Sequence, residues 1–482
     1  MTIADESVQL KENSVGAFGI VAQSVGASSP EIAASATTIS VALIAGAGAP
    51  SSFLLGGIAV ACLAVMLAYL SRRVVTAGGL AGLVEATLGQ RFALATGWAS
   101  LLGIGLVTGV NLMLGGLFAT LFFSEVTPHT HWLSSNWVWW AVIIGVAIVA
   151  LSIAGVRPSV VFLFAVSVVG IACLTILAVA ILVNGGAHGV AWSSLVPGHE
   201  KAASLDSTLR AIGLVVIGFQ GFESATSLGE ETSNPRRTIP RVIITVVLVV
   251  WVLLLLTSLS LVTGFGTSKS GIAELTALSA LSWLVLAQQY LAAWFGHLIV
   301  GILAVSCFAC GLGLMNEMSR MFWSLSRDGL LPRSLSRTTR RTGAPWVAVL
   351  VLTAVAAVEL IGAGVWKGSK PLNVPTAATW IADVAAPGLL IAYILAAVGG
   401  AKMAFQHKAP FLVRVVCPLV VVVVFGISLY HQFSPLPPSP YKTAPFLGLG
   451  LLVIGGAAVY LGARTETVSE DTIGSPALEP SE

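Results

Sequence analysis

In the stretch GFQGFESATSLGEETSNPRRTIPR, residues 218–241, the carboxylate of Glu223 stands in an otherwise apolar run, with Gly218, Phe219, Gly221 and Phe222 around it. A second carboxylate, Glu31, follows Ser24, Gly26, Ala27, Ser28, Ser29 and Pro30 in SVGASSPEIAAS. Glycine, serine and proline are poor helix-interior residues, so both stretches predict a helix that breaks. A break frees N–H groups, which suit an anion, and carbonyls, which suit a cation. In hydrocarbon such groups persist only where they are buried in protein or face a watery cavity. The chemistry on offer is reversible and noncovalent: holding a small ligand, and taking up or releasing a proton at a carboxylate that is costly to ionise away from water. Glu223 is the first proton candidate and Glu31 the second. A sodium ion would need several neutral oxygens; Ser306 supplies one, but its surroundings, AVSCFACGLG, are apolar, so a proton ranks ahead of sodium. The plainer alternative is that Gly218 and Gly221 only let helices pack closely.

The elements that must position these residues are membrane spans. Of 482 residues 56% are hydrophobic and 9% charged, with a mean hydropathy of +0.93, against about 25% charged in a soluble domain. Apolar runs long enough to cross a bilayer recur throughout. Twelve are read, near 16–46, 51–70, 93–123, 137–154, 158–183, 208–229, 240–263, 292–323, 346–363, 376–400, 411–430 and 445–463. The strip GTSKSGIAELTALSALSWLVLAQQY is too broken for a span and is expected as an amphipathic helix at the interface. The polar start, MTIADESVQLKENS, lacks the apolar core and cleavage site of a secretory signal, so its removal is not expected. The five cysteines all fall in apolar runs and read as packing residues. Eighteen of the 24 Lys and Arg fall on one side of the twelve-span arrangement, which predicts cytoplasmic termini.

Five spans separate the starts of the two broken helices, the hydropathy signature of a five-plus-five inverted repeat whose breaks meet at the midplane. The expected fold is all-α and polytopic, LeuT-like. Residues 1–15 form a cytoplasmic segment, 16–400 the ten-helix core, 401–463 two further spans, and 464–482 a disordered acidic tail.

The run GFQGFESATSLGEETSNPRRTIPRVI resembles the sixth helix and following loop of the amino acid–polyamine–organocation superfamily, with Phe219, Gly221, Phe222, Glu223, Glu230, Glu231, Asn234, Pro235, Arg236, Arg237, Ile239 and Pro240 in its pattern. RRVVTAGGLAGLVEATLG and MNEMSRMFWSLSRDGLLPRSLSR resemble two more of its segments, in order, across about residues 15 to 430. The resemblance implies a permease that alternates access around the paired breaks. Backbone N–H groups around Ser24, Gly26, Ala27, Ser28 and Ser29 would bind a substrate carboxylate. Carbonyls near Phe219 and Gly221 would receive its amine, and Phe222 would gate the site. Two departures stand out: Ser29-Pro30-Glu31 replaces the family's Gly-rich or Ala-Pro-Ala-like turn, and Ser167 falls where some relatives carry a charge linked to ion coupling.

Glu317, Glu359 and Asp383 are further intramembrane carboxylates, each a functional candidate or a local pair. The charged residues around Pro235 read as a capped loop, with gating as the alternative. No cofactor, metal site or nucleic-acid partner is expected, and without a Gly-rich Lys-Ser/Thr loop neither is nucleotide hydrolysis or other enzyme activity. The expected function is amino acid transport across the cell membrane, proton-coupled or by exchange. The alternatives are an organic-amine or polyamine transporter and a non-transporting sensor that keeps the fold. The oligomeric state stays open.

Overall fold

The computed structural model describes residues 16–126, 136–154, 159–199, 203–367, 373–436 and 439–471, and every regular element among them is a helix. In chain order these are α1 (Ala17–Ser28) and α2, which starts at Pro30, passes a π turn at Ala33–Thr37 and continues as Thr38–Ala45. Then come α3 (Ala49–Ser71), α4 (Gly79–Leu88), and α5, which starts as Gln90–Ser100 and runs on through Leu101–Gly105 and Leu106–Val126. The next are α6 (Trp137–Ala154), α7 (Ser159–Val183), α8 (Leu205–Phe219), a 3₁₀ helix (Phe222–Leu228) and α9 (Pro235–Phe265). The chain closes with α10 (Lys269–Leu278), α11 (Ser282–Tyr290), α12 (Ala293–Arg327), α13 (Trp346–Lys367), α14 (Val374–Gln406), α15 (Cys417–Phe433) and α16 (Ala444–Asp471).

Ten helices among the described residues are long and apolar enough to cross a membrane, eleven if the bent pair of α8 and the 3₁₀ helix is one span. The centre of the bundle is formed by α1, α8, α12 and α14, whose buried faces are continuous. Few residues of α6, α13 and α15 are buried within the bundle, as in lipid-facing helices. Hydroxyls inside spans are satisfied by the preceding turn: Thr38 donates to Ala34 O at 2.6 Å and Thr257 to Leu253 O at 2.8 Å.

Two elements depart from expectation. The strip read as an interfacial helix forms two helices separated at Ser279, which takes a positive φ of 46°. It is counted by length and apolarity among the ten, and Trp283 pins it to the bundle by donating from Nε1 to Ser35 O at 3.0 Å, over the π turn of α2. The π turn leaves that carbonyl outside the regular ladder, and the indole needs an acceptor once buried. At the other end, α16 carries helix seven residues past Arg464 into the acidic tail, because an established helix extends one bond at a time through residues of moderate propensity. Residues 1–15 and 472–482 lie outside the described residues, as do His129 and His131.

Candidate functional site

The first break falls at Ser29. Pro30 has no N–H and clashes with an α conformation in the residue before it, so α1 cannot run on through Ser29; Ser29 stands left-handed at φ 31°, ψ 72° and α2 starts afresh at Pro30. Its hydroxyl donates to Gly26 O at 2.8 Å. The second break falls at Gly221, whose φ of 99° suits glycine, and α8 and the 3₁₀ helix meet there at 43°. The two breaks touch: a Cβ on Gly221 would sit 2.6 Å from both Ala27 O and Ser28 N. Gly313 of α12 approaches Ala27 from another side, and Cys310 Sγ donates to Ala27 O at 3.1 Å.

The position of the first break revises the expected donors. Because α1 is unbroken through Ser28, the N–H groups of Ser24, Gly26, Ala27 and Ser28 belong to its ladder, and that of Ser29 donates to Val25 O at 2.8 Å. A single glycine weakens a helix by only about 1 kcal/mol; the proline, four residues on, is what ends it. On the other side, Gly221 O accepts from Ser224 N at 3.1 Å, so one of the carbonyls expected to receive an amine is occupied.

Beside the breaks lies a cavity of about 80 Å³ between α1, α2, α5, α8, α12 and α14. Of the expected contacts, Ala27 and Ser28 line it, whereas Ser24, Gly26, Ser29, Phe219, Gly221 and Phe222 do not. Phe222 is fully buried and packs tilted against Tyr393, with ring centroids 6.0 Å apart, so it stands behind the cavity wall and not over the site. Polar groups reach the cavity from Thr37, Ser40, Asn111, Gln220 and Ser279, and no Asp, Glu, Lys or Arg lies among the described lining residues. Asn111 and Gln220 were not singled out from the sequence; a lone amide in the apolar run GVNLML is the signal that marks the first.

The carboxylates sit outside the lining. Glu223 is wholly buried, accepting from Tyr393 Oη at 2.6 Å and from Gly221 N at 3.0 Å, so its side chain folds back onto the residue that precedes the 3₁₀ helix. Glu31 is equally buried; Ser167 donates to its Oε1 at 2.9 Å, and the hydroxyl of Ser306 lies beside the carboxyl without a well-formed hydrogen bond to Oε2. The Ser167 hydroxyl of α7 thus faces a carboxylate supplied by α2. Glu317 of α12 leaves Oε2 unpartnered. Glu359 has neither oxygen paired and fills a notch left by Gly109 of α5. Asp383 instead pairs with Arg210 at 3.0 Å, both buried. Among the described residues no cluster of His, Cys, Asp and Glu could hold a metal ion.

The basic end of the bundle is tied shut. Arg320 Nε meets Glu231 Oε1 at 2.6 Å, Arg327 Nη1 meets Glu230 Oε2 at 2.8 Å, and Ala77 N donates to Glu230 Oε1 at 3.1 Å. These pairs join the loop after the second break to the end of α12, where Arg327 also covers the Trp323 ring. In α4, burial and the neighbouring Asp328 push Glu85 above the ordinary carboxylate range, with Arg327 opposing. Arg327 and Glu230 are each about a third exposed, so Arg327→Gln is expected to lower stability by no more than about 1 kcal/mol. Arg320→Gln, in the more enclosed pair, should lower it further. Melting midpoints of the two variants in detergent check the order, and a reversed order would mean that burial does not set the strength of these ties.

The family described as Amino acid permease matches residues 13–457 of the chain. An uncharacterized transporter of Mycobacterium tuberculosis is 26% identical over 444 residues, covering 90% of each chain. The branched-chain amino acid permease BcaP of Bacillus subtilis is 26% identical over 398 residues, 79% of each. The crystal structure of MhsT in complex with L-phenylalanine superposes with a TM-score of 0.58 at 13% identity, covering 87% of this chain and 100% of that one, a likeness of fold.

Proposed function

The chain belongs to the amino acid permease family, and from that premise we propose that it is a secondary transporter that moves a neutral amino acid across the cell membrane by alternating access around the two breaks. The observation that carries this reading is an uncharged cavity set against two mutually packed helix breaks. A zwitterion needs no counter-charge from the wall, whereas a polyamine, lysine or glutamate would enter with a net charge unmet. The wall formed by Val107, Val110, Leu114, Phe118, Leu214 and Leu314 suits an aliphatic side chain. Ala27 and Ser28, in the last turn of α1 before the first break, also reach the cavity.

The finer architecture follows the same reading. The stretch Phe18–Ser71, 54 residues long, would be about 80 Å as one helix, far more than the roughly 30 Å of hydrocarbon. It is read as two crossings joined at the 3₁₀ turn Gly46–Gly48. With that division, the bent pair as one span, α16 as the last, and α10 and α11 as a strap on the surface, the count is twelve, the first ten arranged as a five-plus-five inverted repeat. The basic end and both termini lie in the cytoplasm, so the ionic ties close the inner mouth and the cavity belongs to the outer half of the cycle.

Coupling to a proton is favoured over sodium because Glu31 and Glu223 are fully buried and their hydrogen-bond neighbours are the neutral groups of Ser167, Tyr393 and Gly221. Either carboxylate can carry a proton between the two faces as access alternates. The test is uptake of radiolabelled L-alanine, L-valine and L-leucine into proteoliposomes, with L-lysine, L-glutamate and putrescine as competitors and with imposed proton or sodium gradients. Neutral amino acids should be taken up and displace one another, and an inward proton gradient should accelerate uptake. Glu31→Gln should lose that acceleration and keep exchange. Glu223→Gln should lose it as well, with some loss of binding, because its amide cannot accept from both Gly221 N and Tyr393 Oη as the carboxylate does. Stronger displacement by putrescine would overturn the amino acid reading, and a response to sodium alone would overturn the proton.

A further inference from the structure

We propose that the loop between α12 and α13 holds the phosphate headgroup of an anionic phospholipid, chiefly on Arg337 and Arg340, with the acyl chains laid along α6 and α13. The inference rests on the bundle spanning a membrane and not on the permease reading. Between Asp328 and Glu359 the sequence has four arginines, Arg333, Arg337, Arg340 and Arg341, and no acidic residue. All four are exposed. They stand on hydrogen-bonded backbone. Arg333–Ser336 forms a 3₁₀ turn, with Leu335 N donating to Pro332 O at 3.0 Å and Arg337 N to Ser334 O at 3.3 Å. Beyond it, Thr339 N donates to Ala344 O and Gly343 N to Thr339 O, both at 2.9 Å, so Arg340 and Arg341 lie within a closed turn.

That turn is pinned at the ends of two lipid-facing helices. Thr342 Oγ1 donates to Ile153 O in the last turn of α6 at 3.0 Å, and α13 begins just after the turn at Trp346, an exposed indole of the kind that settles at headgroup level. Helices α6 and α13 pack side by side. Beyond the loop both turn apolar side chains outward, Ile143 and Val146 on α6 and Leu350 and Val351 on α13. A soluble anion would use the arginines alone; a phospholipid uses them together with the apolar face that continues from them. A guanidinium meets a phosphate through paired N–H groups. A basic cluster at the end of a span favours headgroups with net negative charge, since a zwitterionic headgroup offsets its own phosphate. The loop is also continuous with α12, where Ser326 Oγ donates to Pro332 O at 2.7 Å. A headgroup held here therefore steadies the end of α12 that carries the ties of Arg320 and Arg327.

The experiment titrates the delipidated full-length protein, in nonionic detergent at about 0.15 M salt to screen distant charges, with phosphatidylglycerol, phosphatidylcholine or inorganic phosphate, and reads the melting midpoint. Phosphatidylglycerol should raise the midpoint at mole fractions where phosphatidylcholine does little. In Arg337→Gln/Arg340→Gln the half-effective mole fraction of phosphatidylglycerol should rise about thirtyfold, the value of two arginines beside anionic lipid, with the response to phosphatidylcholine unchanged. Arg236→Gln/Arg237→Gln removes the same charge from another exposed pair and should shift it less than about threefold. Equal responses to the two lipids, or an equal loss in the control pair, would overturn the site. Inorganic phosphate that matched phosphatidylglycerol at equal phosphate concentration would overturn the lipid as its occupant. Fluorescence supplies a check that needs no charge variant to fold. Phosphatidylglycerol brominated near its headgroup should quench wild-type tryptophan fluorescence more than brominated phosphatidylcholine at equal mole fraction, and Trp346→Phe should remove the excess. No excess in wild type, or an excess that survives Trp346→Phe, would overturn the placement of the lipid.

Discussion

Gly221→Ala is expected to abolish uptake and to reduce sharply the yield of folded protein. The residue sits at φ 99°, where an L side chain costs about 1–2 kcal/mol. The added methyl would also lie 2.6 Å from Ala27 O and Ser28 N, which are backbone atoms and cannot rotate away. Relief requires separating the two breaks, and with them the floor of the cavity. Gly26→Ala is the matched control, because a Cβ there meets nothing within 4 Å and φ is not positive; it should melt and transport like wild type. Uptake by Gly221→Ala at the wild-type rate would show that the two breaks do not bear on each other in the working protein.

The second large effect is expected at the ion pair between α8 and α14. Arg210 and Asp383 meet at 3.0 Å with side chains 6% and 3% exposed, and Arg210 Nε has no other partner. Removing one partner leaves the other charge buried, so Arg210→Met or Asp383→Leu should each lower stability by about 3–5 kcal/mol. The double variant replaces the pair by apolar groups and should recover most of that loss. Thermal melting of the four proteins in detergent forms a double-mutant cycle. Additive losses would mean that the two groups do not act as a pair.

The breaks were the most legible part of the sequence because they are local. Pro30 excludes an α conformation at Ser29, and Gly221 allows the 43° bend beside it, so both departures from regular helix arise within a turn of residues that composition marks. The spans were legible for the same reason: hydrocarbon length is written in consecutive residues. What the sequence did not contain was the partner of each polar group. Ser167 and Glu31 are 136 positions apart, and Tyr393 and Glu223 170; helix packing decides such pairs, and no short-range pattern encodes it. The donors expected along Ser24–Ser28 failed by a single turn, because glycine and serine were weighed alongside the proline that alone ends the helix.

The uncharged lining of the cavity has an electrical consequence. A zwitterion held there crosses with no net charge, and the cavity contributes none of its own, so membrane voltage does no work on the substrate. Under the proposed proton coupling the potential would act through the proton at a carboxylate outside the lining, about 2.3 kcal/mol per elementary charge per 100 mV. That is on the order of a fiftyfold concentration ratio for one ion per substrate. Separating the ion from the substrate's cradle in this way lets the lining change to suit another side chain while the voltage dependence of transport stays as it is.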